Sequence, residues 1–159
     1  MCIDVFGNVT EKLRSAKVMK MILGSDNHIW IGTQEQGVFC FSEKGDKLHS
    51  YKPRNDMARA LCQDFEGNIW VGYRSGLSKI NPSSGEIIHY EEKSDNVEMS
   101  GKTSVTSLYT DRQGIVWVGT YWGGVRFFSP EYQYVDFYKA SGNELSYPVV
   151  GAMTEDSAG

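Results

Sequence analysis

The chain has 159 residues, of which 40% are hydrophobic and 23% charged, and its net charge is −4. That profile is globular and long enough to bury a core. It contains neither the Lys/Arg cluster that follows nucleic acid nor an apolar run of about 18 residues that would span a membrane, so no nucleic acid partner and no membrane contact by this segment are expected. Aromatic residues make up 13%, with 17 glycines against 4 prolines, which favours β-structure over helices. Cys2, Cys40 and Cys62 share no metal-ligand spacing, and no metal or other cofactor is expected. Cys40 and Cys62 sit inside apolar strand patterns and read as buried thiols; in an oxidising compartment one bridge could form, leaving one thiol over.

In chain order, residues 1–16 read as the outer third and fourth strands of a preceding unit. Three four-stranded units follow at 17–53, 54–92 and 93–140, and 141–159 reads as the first strand of a further one. The units superimpose through HIWIGTQEQGVFCF (28–41), NIWVGYRSGLSKI (68–80) and IVWVGTYWGGVRFF (115–128). Trp30, Trp70 and Trp117 lie 40 and 47 residues apart. Each is followed two residues later by Gly32, Gly72 or Gly119, and then by a second glycine at Gly37, Gly76 or Gly124. Tyr51, Tyr90 and Tyr138 lie 21, 20 and 21 residues beyond their tryptophans. Four landmarks in three copies establish an internal repeat.

In the third unit the strands read as 104–110, 115–120, 124–129 and 134–139, separated by short turns rich in Gly, Asp, Asn and Ser. The second strand is apolar on both faces, so the sheet is sandwiched between two others. Four-stranded antiparallel sheets stacked in this way make an all-β fold, a β-propeller fragment of about three complete blades plus partial blades at both ends. Each tryptophan then fills the gap between neighbouring blades, and the glycine two residues on leaves room for close approach. Asp64 with Gly67, and Asp111 with Gly114, frame the turn between first and second strands. The first copy has Gly24 and Asn27 instead; Asn27 can hold the turn's left-handed residue, without the aspartate clamp.

The strings D-x-x-G-N-I-W-V-G (64–72) and D-x-x-G-I-V-W-V-G-T (111–120) resemble the two-component regulator propeller repeat. That resemblance implies an extracytoplasmic (periplasmic) sensor region of a hybrid two-component histidine kinase held in the inner membrane, built from tandem propellers and a β-sandwich. It implies no enzyme activity in this segment, with kinase activity belonging to other parts of such a protein, and an oligosaccharide as the ligand.

Ligand contacts are expected on the face carrying the second-to-third-strand turns and the blade-to-blade connections. The candidates are Tyr121 and Trp122, which have no aromatic counterparts in the other copies, then Arg74, Tyr73 and Gln34. Trp122 either presents its ring to a sugar or partner or folds over the blade top; Arg74 either binds an anionic group or forms a surface ion pair. Asp64, Asp111 and Asp156 recur with the turn and read as structural, and His28, His49 and His89 as turn or rim residues. No nucleophile–base motif or phosphate-cradling loop is present. The alternative to sensing is a scaffold or protein-interaction propeller without a small ligand. Open blade faces are expected to drive self-association.

Overall fold

The computed structural model describes residues 13, 15–53, 56–90, 104–129, 135–138, 149–154 and 156, with 135–138 as backbone only. Among the described residues, twelve strands form three four-stranded antiparallel sheets, each in sequence order. Blade 1 holds β1 (Val18–Leu23), β2 (Ile29–Thr33), β3 (Val38–Phe41) and β4 (Lys47–Tyr51). Blade 2 holds β5 (Ala60–Gln63), β6 (Ile69–Tyr73), β7 (Gly76–Ile80) and β8 (Ile87–Tyr90). Blade 3 holds β9 (Val105–Thr110), β10 (Val116–Thr120), β11 (Val125–Phe128) and β12 (Val135–Tyr138). The chain is an all-β, open run of propeller blades. Most of 1–16 and 141–159, the loop 91–103 and the Tyr138 side chain fall outside the described residues.

Register explains which side chains share a face. Trp30 pairs with Ile22 and Cys40, Trp70 with Cys62 and Lys79, and Trp117 with Tyr109 and Phe127. Cross-strand partners point the same way; Trp30 thus faces blade 2 and Trp70 faces blade 3. The residues after those positions face the other way: Val71 faces blade 1 and Val118 faces blade 2, while Ile31 packs with Leu13. The core is accordingly not inside any sheet but between sheets. Trp30, Val38 and Cys40 of blade 1 meet Leu61, Ile69, Val71, Tyr73 and Ile80 of blade 2. Ala60, Cys62 and Trp70 of blade 2 meet Val105, Leu108, Val116 and Val118 of blade 3.

The post-tryptophan glycines sit where the next blade's first strand presses in. A Cβ on Gly32 would stand 2.8 Å from the Ala58 carbonyl oxygen and 3.4 Å from Leu61 Cδ1. On Gly72 it would collide with Val105, and on Gly119 with Ser107 and Val150. Backbone bonds fix the same approach: Ala58 N–H donates to the Thr33 carbonyl at 3.0 Å, and Val150 N–H donates to that of Thr120 at 3.1 Å. Val150 therefore occupies on blade 3 the seat that Ala58 occupies on blade 1. Its carbonyl also accepts the Thr106 and Ser107 hydroxyls.

Candidate functional site

Two of the three second-to-third-strand turns share one frame. Thr33 Oγ1 donates to the Gly37 carbonyl at 2.8 Å and accepts the Gln36 N–H at 3.0 Å. Thr120 Oγ1 donates to the Gly124 carbonyl at 2.9 Å and accepts the Gly123 N–H at 2.8 Å. Both threonines are buried, so each turn is locked from beneath by a hydroxyl with both of its roles filled. Gly37 and Gly124 take positive φ of 83° and 75°, which explains the second glycine of the repeat. What differs is the cargo: Gln34-Glu35-Gln36 on blade 1, Tyr121-Trp122-Gly123 on blade 3.

Tyr121 and Trp122 are 45% and 52% exposed, with ring centroids 5.3 Å apart at 81°. About half of the Trp122 surface is therefore open, and its ring meets that of Tyr121 in a T-shaped contact. Tyr121 is held at its backbone, where its N–H donates to the Ser104 carbonyl at 2.9 Å. Gln34 N–H makes the matching bond to Lys17 at 2.9 Å; its side chain is half-buried. Arg74 is exposed. Tyr73 is not on this surface. It stands at the position of Thr33 and Thr120, ends β6 and is fully buried between blades 1 and 2, so it offers no ring to a ligand.

One contributor has no counterpart among the sequence-derived candidates. Arg59 leads into β5, and its Nη1 donates to Ser104 Oγ at 3.1 Å, tying the start of blade 2 to the residue that holds Tyr121. Nearby Asp56 accepts the Ser75 N–H at 3.0 Å and hydroxyl at 2.8 Å. Burial pulls the Asp56 carboxyl upward, but bonds from Met57 and Ser75 and the Arg59 charge outweigh it and hold the group below its ordinary value. Asp56 therefore stays ionised beside Arg59 at neutral pH.

At the opposite end of the blades, the repeated aspartates do more than clamp a turn. Asp64 Oδ1 accepts the N–H groups of Glu66 and Asn68, and its Oδ2 accepts the Trp70 indole N–H at 2.8 Å. Asp111 repeats this with Gln113, Ile115 and, at 2.7 Å, the Trp117 indole. Each carboxylate thus orients the tryptophan six residues later, a structural role. Gly67 and Gly114 take φ of 83° and 80°, and Asn27 takes 59° in the first copy, so Asn27 does hold that turn. Asp156 is exposed.

The remaining polar chemistry is local. His28 Nδ1 lies 2.6 Å from Asp26 Oδ2, and the rings of His49 and Tyr51 are 6.0 Å apart. His89 Nδ1 lies 2.9 Å from Ser78 Oγ. That Ser–His pair bridges β7 and β8, and the serine is fully buried, out of reach of a substrate. Cys40 and Cys62 are both free and buried. Burial, helped by Asp26, pushes the Cys40 thiol up to about 11, and burial pushes Cys62 up to about 12. Among the described residues no group of His, Cys, Asp or Glu is arranged to hold a metal ion, and no helix is long and apolar enough to cross a membrane.

Residues 100–122, which include the Asp111–Trp117 turn and the Tyr121-Trp122 pair, match the two component regulator propeller family. That stretch, part of blade 3 and the connection leading into it, is similar to the two component regulator propeller repeat. Solved structures agree on the repeat's fold. The extracellular domain assigned to one hybrid two component system of B. thetaiotaomicron superimposes with a TM-score of 0.67 at 19% identity. That match covers 89% of this chain and 19% of that one. A second such domain from B. thetaiotaomicron gives 0.65 at 22% identity, over 88% and 18% of the two chains. Virginiamycin B lyase from Staphylococcus aureus gives 0.70 at 18% identity, over 93% and 50%. The chain thus spans under a fifth of the two extracellular domains it resembles. No curated protein sequence matches it.

Proposed function

We propose that this propeller segment senses oligosaccharides as part of the extracytoplasmic region of a two-component sensor and is not itself catalytic. The observation carrying this reading is the Tyr121–Trp122 pair on the blade 3 turn. A flat indole with about half its surface open is suited to the apolar face of a sugar ring, while hydroxyls find donors and acceptors on the same end of the fold, including Arg74 and Gln34. The extracellular sensor domains that share the fold support the extracytoplasmic placement and the signalling role. Signalling follows if the ligand prefers one packing of neighbouring blades or subunits over another.

Calorimetric titration of the chain with a panel of neutral and acidic oligosaccharides tests the proposal. Saturable binding that Trp122→Ala abolishes, with the fold unchanged by circular dichroism, is the expected result. Binding that survives the substitution would remove Trp122 from the site. A second reading, a protein-interaction scaffold, is favoured by one specific observation: the apolar strip Val18, Met21 and Leu23 on β1 is exposed. Tight protein association with no response to any sugar would put that reading ahead.

A further inference from the structure

Blade 1 keeps the turn of the other two blades but not its aspartate. The backbone is the same in all three. Gly24 N–H donates to the His28 carbonyl at 2.8 Å and Asn27 N–H to the Gly24 carbonyl at 3.1 Å, as Asp64 and Gly67, and Asp111 and Gly114, do in their copies. The carboxylate has moved two residues along, to Asp26. From there Asp26 Oδ1 accepts the His28 N–H at 3.1 Å, taking over the bond that Asp64 and Asp111 give to Asn68 and Ile115. It does not take over the other one. The Trp30 indole N–H, on a side chain only 1% exposed, has no protein acceptor among the described residues. A buried donor left unpaired is strongly disfavoured.

Polar atoms stand close around the point where a Cβ on Gly24 would sit. A Cβ built there would stand 2.8 Å from Asp26 Oδ1, 3.3 Å from Gln63 Oε1 and 3.3 Å from Trp30 Nε1. Gln63 reaches across from blade 2, where its Oε1 already accepts the Ser25 N–H at 2.7 Å. Each of the two oxygens has a lone pair to spare after its one backbone bond. Gly24 is not required by its dihedral angles, since it is absent from the residues with positive φ.

We propose that this niche is a binding site for one water molecule, which accepts from Trp30 Nε1–H and donates to Asp26 Oδ1 and Gln63 Oε1. One donor facing two acceptors suits water, which both accepts and donates; a bare cation would meet the indole N–H head-on, and an anion would meet the carboxylate. Three partners is the usual number for a buried water. The molecule stands in for the carboxylate oxygen that orients the tryptophan in blades 2 and 3. It also links blade 1 to blade 2 through Gln63.

A high-resolution crystal structure of the chain tests this directly. An ordered water within hydrogen-bond distance of Trp30 Nε1 and of both oxygens is expected. A protein atom accepting the indole N–H, or an empty niche, would overturn the proposal. In solution, the Trp30 indole proton should show a cross-peak to water in nuclear Overhauser spectra that the Trp70 indole lacks. Gly24→Asn, which carries an amide oxygen into the niche without placing a second charge beside Asp26, should abolish that cross-peak. Persistence of the cross-peak in a folded Gly24→Asn chain would count against the site.

Discussion

Met21 and Leu61 hold the same place in their blades, each opposite the residue that follows the tryptophan, yet one is 57% exposed and the other 1%. Leu61 presses against Trp30, Val38 and Cys40 of blade 1. Met21 has no described sheet in front of it, although Leu13 covers Ile31, Phe39 and Phe41 on the same face. The pattern repeats at the other end: Trp30 and Trp70 are buried, Trp117 half-buried. A blade is therefore not a stable unit by its own composition. Its apolar faces acquire their energetic weight from the neighbour, as in other repeat architectures.

Substitution should expose the difference. Leu61→Ala is expected to destabilise the chain by about 2–5 kcal/mol through lost burial and a cavity at the junction. Met21→Ala should fall within about 0.5 kcal/mol of wild type. Urea denaturation followed by tryptophan fluorescence measures both, and similar losses would break the comparison. Next in size is the indole clamp. Asp64→Ala leaves the buried Trp70 N–H and two backbone N–H groups unpaired, with an expected loss of about 2–3 kcal/mol. Asp111→Ala should cost less, because half-buried Trp117 can turn to water.

Much of this was legible in the residues. The Trp-x-Gly spacing gave the second strands and the stacking, and the expected strands of the third unit lie within a residue of those observed. The indole–carboxylate bond was also written there, in the constant six-residue step from Asp64 to Trp70 and Asp111 to Trp117, but a spacing does not say which of two carboxylate oxygens faces a ring. Tyr73 was misplaced because loop and strand end are one residue apart, and the turn after it is one residue shorter than in blades 1 and 3. Aligning it with Thr33 and Thr120, both at a strand end, was the available signal. The Arg59–Ser104 bond crosses between blades over 45 residues, and no local pattern announces such a pair.

Smaller effects sharpen the same contrast. If the strip on β1 is a contact surface, light scattering should show concentration-dependent association that Met21→Glu weakens; an unaltered mass profile would clear the strip of that role. The buried thiols set a pH signature. Their folded pKa values lie above the unfolded value of 9.0, at about 11 and 12. The folded state holds those protons more tightly, so their contribution is complete below pH 9 and is lost as pH rises from there through 11 and 12. Thiol alkylation at neutral pH should accordingly spare Cys40 and Cys62 until denaturant is added. The smallest change is expected for Tyr121→Ala, whose exposed ring should alter stability by no more than about 0.5 kcal/mol.

A double-mutant cycle between Trp30→Phe and Leu61→Ala bears most directly on the claim that the core lies between blades. The two side chains belong to different sheets, 31 positions apart in the chain. Packing against one another predicts a coupling free energy of about 0.5–3 kcal/mol, against none for Trp30→Phe combined with Met21→Ala. Simple additivity of Trp30→Phe and Leu61→Ala would mean that the tryptophan does not wedge the two sheets together.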